Sequence, residues 1–193
     1  MLQRGFPAEH TPFIVGVVLF LLQKYNPTPG FYYDLRTLAK RLFGKASEEL
    51  CARILDAEAQ VLDALGFVVE CTTAYDFLGF LSEVADLSPE QLGQAMYCIT
   101  LAALSPEMRG VTYLEQAAAA VSLVLEKAGG QWDQSLSFWA GCRPSDLAFA
   151  QEQIRTLLRA ETHSAQAGEP SDVYKKYSEP QRHAAARSMT GSD

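Results

Sequence analysis

Glu58 is the residue whose position alone most demands a chemical explanation. The stretch from Glu48 to Phe67 (EELCARILDAEAQVLDALGF) has the spacing of an amphipathic helix, with Cys51, Leu55, Leu62 and Leu65 on one face. Glu58 falls inside that stripe, completing steps of four, three, four and three residues. A carboxylate on a burying face carries a desolvation cost of several kcal/mol unless it is paired. The chain therefore either pairs Glu58 internally or offers it to another molecule.

The sequence carries no recognisable catalytic equipment. It has no Gly-rich phosphate loop, paired-carboxylate cleft, GxSxG elbow or HExxH. Cys51, Cys71, Cys98 and Cys142 are scattered without a CxxC pair, and His10, His163 and His183 are as dispersed, so no metal site is expected. Nor is a cofactor, a small-molecule substrate or an enzymatic activity. Cysteines set among apolar residues read as reduced core residues, which points to the nucleus or cytoplasm.

Composition narrows the partners. The 193 residues are 48% hydrophobic and 20% charged, as in an ordinary globular protein, and the formal net charge is −7. That balance opposes nucleic-acid binding and an anionic membrane surface. The apolar run Phe13 to Leu22 (FIVGVVLFLL) is about half the length needed to span a bilayer. Glu9 and His10 precede it and Gln23-Lys24-Tyr25-Asn26 follow, in place of signal-peptide flanks. It reads as a buried helix.

The elements that must position Glu58 are all helical, because no segment shows the alternation of a half-buried strand. Helices are predicted over roughly Thr11 to Tyr25, Tyr32 to Phe43 and Ser47 to Leu65, with NPTPG (26–30) ending the first and Gly44 the second. After a link from Val68 to Thr72, five more are predicted: Thr73 to Val84, Pro89 to Leu104, Thr112 to Lys127, Trp132 to Trp139 and Pro144 to Glu161. Ser88 and Pro89 open the second of these as N-cap and first helical residue. A small apolar hook (Val173, Tyr174, Tyr177) precedes a polar tail expected to be mobile.

In this order the elements resemble the cyclin family, and specifically an A- or B-type cyclin. The family motif E-x-x-[IV]-L-x-x-L-x-[FW] stands here as Glu58, Val61, Leu62, Leu65 and Phe67. Thr72-Thr73-Ala74-Tyr75-Asp76-Phe77-Leu78 is similar to the P-T-x-x-x-F-L that opens the second cyclin box, with Cys71 in the place of the proline. Lys24-Tyr25 keeps half of K-[YF]-E-E, Asn26 and Pro27 replacing both acids. Tyr113-Leu114 resembles Y-x-P-S, with Glu115 and Gln116 replacing Pro-Ser and leaving that helix's cap open. Trp132 to Leu136 with Gly141, and Tyr174-Lys-Lys-Tyr-Ser178, are similar to two later stretches of the second box.

The resemblance implies an all-α cyclin fold. A partial first box of about three helices would occupy residues 1–70, a complete five-helix second box 71–178, and a flexible tail 179–193. The two helices that open a first box in the family have no counterpart here, which suggests a truncated, processed or split form ahead of a genuinely short cyclin. Their absence is expected to leave Phe13, Val17, Val18, Phe20 and Leu21 partly bare, as an aggregation or partner-binding strip.

The implied function is that of a regulatory subunit which binds and activates a cyclin-dependent serine/threonine protein kinase. By motif position, Lys24 and Glu58 would grip the kinase's C-helix region, and Leu62, Phe67 and Val69 would pack around them. Lys24 follows Leu21 by three residues in the stripe Ile14, Val17, Leu21, so both charges sit on packing faces. The alternatives are a non-activating cyclin-fold interaction scaffold and, opposed by the acidity, a nucleic-acid binder like transcription factor IIB.

Overall fold

The computed structural model describes residues 11–25 and 33–191. His10, NPTPG (26–30) and the expected start of the second helix at Tyr32 lie outside them. The chain divides into two compact units, Met1–Cys71 and Thr72–Asp193. Every regular element among the described residues is helical.

The first unit holds α1 (Thr11–Tyr25), α2 (Leu35–Phe43) and α3 (Glu48–Ala64). Asp34 caps α2 by accepting from the backbone of Arg36 and Thr37, and Gly44 closes it in the left-handed region at φ 71°. Ser47 caps α3 by accepting from Leu50 N. Val17, Phe20, Leu38, Ala39, Leu50 and Ile54 form the core. Gly16 permits close contact between α1 and α2, since a Cβ there would lie 2.7 Å from Phe43 Cζ.

The burying face of α3 is rotated from the predicted stripe. Leu50, Ile54 and Glu58 are buried, whereas Leu55 and Leu65 are exposed. Both sets have helical spacing and both contain Glu58, so periodicity alone could not separate them. On α1, Val17, Phe20 and Leu21 are buried and Phe13 and Val18 half-buried, instead of forming the bare strip expected. The exposed apolar residues are Val15, Leu19 and Leu22, on the other side of the helix.

The second unit comprises α4 (Ala74–Val84), α5 (Pro89–Leu104), α6 (Tyr113–Lys127), α7 (Gln134–Ala140), α8 (Ala148–Gln166), α9 (Asp172–Tyr177) and α10 (Ala185–Thr190). Short 3-10 turns at Pro106–Gly110, Pro144–Leu147 and Pro180–Arg182 link some of them. α6 lies at the centre, packed on α4, α5 and α8, with Ala117 to Ala120 fully buried. Small side chains there let three neighbours approach one helix closely.

One open point is answered and one expectation corrected in this unit. Thr112 supplies the cap of α6: its Oγ1 accepts from Glu115 N at 3.2 Å, and Glu115 accepts from Thr112 N at 2.9 Å. Within the tail expected to be flexible, Ala185–Thr190 instead form α10, with Ala185 and Ala186 fully buried. Ser188 is held by Gln94 Nε2 at 2.8 Å and by Lys127 Nζ at 3.0 Å on its hydroxyl, and Lys127 also donates to its carbonyl. Short polar sequence hid this docking, because two buried alanines give no periodic pattern.

Candidate functional site

Glu58 and Lys24 meet in the first unit. Lys24 Nζ donates to Glu58 Oε1 at 2.7 Å and to Oε2 at 2.8 Å, so one ammonium serves both carboxylate oxygens. The Glu58 side chain is only 10% accessible, while that of Lys24 keeps 37%. The pair is therefore buried on its acidic side and open on its basic side. Lys24 Nζ also lies 4.2 Å from the centroid of the Phe20 ring, which shields one flank of the ammonium by a cation–π contact.

The positions follow from the local folding of α1 and α3. Phe20 and Lys24 are four residues apart, which stacks them on one face of α1. Ile54 and Glu58 are likewise one turn apart on α3. Burying Val17, Phe20 and Ile54 in the shared core brings the two charges together. Such a charge-assisted contact is short and directional, yet it retains an open N–H on the lysine.

The apolar residues assigned to the site behave differently from one another. Leu62 is half-buried one turn beyond Glu58. Val69, in the link after α3, is also half-buried. Phe67 is 66% exposed, in the turn that ends the helix. There Gly66 and Phe67 adopt φ of 59° and 60°, and Phe67 N donates to Leu62 O at 2.8 Å. Left-handed backbone at a bulky aromatic is strained.

Sequence reasoning missed three contributors. Phe20 supports the ammonium, and its i, i+4 spacing from Lys24 could have revealed it. Leu65 and Val68, close to Phe67 in sequence, are exposed as it is. The run Leu65-Gly-Phe-Val-Val69, lying past a helix with no strand to join, carried that information. Among the described residues no group of His, Cys, Asp and Glu could hold a metal ion, and no helix is long and apolar enough to cross a membrane.

A search of curated proteins returns no significant match. A comparison with protein-family models matches residues 72–190 to the family described as "Cyclin, C-terminal domain". The matched segment is more than half of the chain and runs from the residues just before α4 to the end of α10. The all-α architecture agrees with that assignment, and the chain belongs to the cyclin family, a regulatory rather than catalytic class.

Proposed function

We propose that this chain is a regulatory subunit that binds and activates a cyclin-dependent serine/threonine kinase in cell-cycle control, acting in the nucleus or cytoplasm. The docking face is of A- or B-type character. The observation that carries this reading is the Lys24–Glu58 pair, whose carboxylate is already desolvated beside exposed apolar residues.

Because Glu58 is sheltered before any partner arrives, much of its desolvation cost belongs to folding rather than to binding. The lysine, still partly hydrated, has a donor to offer a backbone carbonyl of the kinase. Leu62, Phe67 and Val69 supply apolar area around that anchor, the arrangement of an interface hot spot. Activation follows by differential affinity: the surface binds best to the kinase state whose C-helix is swung in, and so shifts the population towards it. All phosphoryl-transfer chemistry remains on the kinase.

The test is a binding titration with a cell-cycle kinase, comparing wild type with Lys24→Ala and Glu58→Ala, followed by a histone-type phosphorylation assay. Losing one partner of a desolvated pair costs roughly 2–5 kcal/mol, so each variant should bind at least about thirtyfold more weakly. Glu58→Ala also removes a buried group, so thermal melts accompany the titration and Lys24→Ala, the more exposed change, decides. Unchanged affinity in both variants overturns the docking assignment. Binding without activation favours the non-activating scaffold.

A further inference from the structure

Three aromatic side chains on α4 and α7 touch one another at the surface of the second unit. Phe138 is 75% exposed, Trp139 56% and Phe80 43%, and no other large apolar residue among the described ones is as bare as Phe138. The Phe80 ring meets Trp139 at 75° with centroids 5.8 Å apart, and the Phe138 ring meets it at 80° and 5.4 Å. Both phenyls therefore stand nearly perpendicular to the indole. Rings in edge-to-face contact form a corner in which two faces look onto one small volume. The two helices are anchored by Leu78, Leu81, Leu136 and Ala140, all buried, so the exposed rings add little to the fold.

The charge carried by these helices has one sign. Asp76, Phe80 and Glu83 follow one another at steps of four and three, so both acids share the exposed face of α4 with the ring. Asp76 is engaged in capping that helix through Thr73. Glu83 is exposed and forms no ion pair or side-chain hydrogen bond among the described residues. No lysine, arginine or histidine occurs from Thr72 to Met108 or from Ala128 to Cys142, the stretches that contain α4 and α7. The nearest base in sequence, Arg143, lies beyond the left-handed turn at Gly141, and Asp146 accepts from its backbone N–H at 2.8 Å. Bare π faces and an unpaired carboxylate both attract a cation, whereas a purely apolar occupant would leave Glu83 without a partner.

We propose that this aromatic corner receives an arginine side chain from a basic segment of a partner protein. The planar guanidinium stacks on the Trp139 face and lies against the adjoining phenyl, while Glu83, one turn from Phe80, accepts its N–H groups. Lysine offers a strongly hydrated point charge that cannot stack, so the geometry favours arginine. The site lies wholly in the second unit and does not depend on the kinase-docking reading.

The test is a ¹⁵N-¹H NMR titration of the full chain with a capped glycine–arginine repeat peptide, run beside its lysine and citrulline counterparts at equal ionic strength. Saturable shifts are expected at the Trp139 indole N–H and at the amides of Phe80, Glu83 and Phe138, while the buried indole N–H of Trp132 stays in place. Citrulline keeps the plane but loses the charge, so its peptide should bind at least about tenfold more weakly, with lysine in between. Trp139→Leu preserves net charge and an apolar side chain but removes the π face, and should weaken arginine binding by about fivefold. Glu83→Gln should weaken it by about threefold. Both positions are exposed, so the variants should retain the wild-type spectrum elsewhere. Mere attraction of a basic peptide to an acidic chain would survive Trp139→Leu unchanged, and that result overturns the proposal. So do shifts that never saturate, citrulline binding as tight as arginine binding, or concentration-dependent shifts of the same resonances without peptide, which would assign the face to a second copy of the chain.

Discussion

Phe67 separates binding from stability at a single residue. Its backbone sits at φ 60°, where a bulky side chain costs on the order of 1–3 kcal/mol and glycine costs little. The residue is 66% exposed and so contributes little to packing within the chain. Phe67→Gly is therefore expected to leave the unfolding free energy of the first unit, read by urea titration, unchanged or higher by up to about 1 kcal/mol. The same change should weaken kinase binding by removing an apolar contact. A destabilised variant with intact binding would show that the ring serves the fold. The pairing partner of Glu58 and the motif position of Phe67 were both legible in the sequence. The strained backbone was not, because φ depends on how the turn closes after Ala64 and no residue type announces it. The buried stripe of α3 was misplaced by one residue for a related reason: Leu50, Ile54 and Val61 compete with Cys51, Leu55 and Leu62 on equal periodicity. Contact with α1 and α2 decides between them.

At the scale of elements, caps tie short polar motifs to the stability of long helices. Thr112 and Glu115 satisfy each other's backbone at the start of α6, the most buried helix of its unit. Thr112→Ala should lower the stability of the second unit by about 1 kcal/mol in urea unfolding, with Thr112→Ser nearly neutral. An equal loss in both variants would assign the effect to the threonine methyl instead. The acidic caps add a pH dependence. Asp34 is held below the ordinary carboxylate range first by the Thr37 hydroxyl, and Asp76 first by the Thr73 backbone N–H. Each lowered value means that the ionised form favours the folded state. The stabilisation is complete above the unfolded pKa of about 4 and is lost as pH falls through the lower folded value. Amide shifts of Thr37 and Thr73 followed from pH 6 to pH 2 should therefore titrate below pH 4; midpoints above 4 would contradict the geometry. Helix order was readable because Ser, Thr, Pro and Gly mark the ends of most elements. α10 escaped notice because its anchor is one serine bonded to Gln94 and Lys127, far away in sequence.

Across the whole molecule, the two units rest on cores of different depth. The first is held by a small cluster from three helices and the Lys24–Glu58 pair, with Val15, Leu19 and Leu22 left in water. The second surrounds α6 with a continuous core that includes Tyr97, Cys98, Met108, Leu147 and Ile154, all nearly or fully inaccessible. Opening free energy scales with the apolar area a unit buries, so the first unit should open more often. The free cysteines report this directly. Cys71 is exposed and should react with a thiol reagent at once. Cys51 is half-buried in the first unit. Cys98 is fully buried, and burial pushes its thiol up to about 12, so its reactive thiolate is absent at neutral pH until the second unit opens. Timed alkylation of the native chain read by mass spectrometry should thus proceed in the order Cys71, Cys51, Cys98. Subdenaturing urea should accelerate Cys51 before Cys98, because the smaller core is lost first. Simultaneous labelling of Cys51 and Cys98 would mean that the units open as one, and the difference in core depth would then carry no thermodynamic weight.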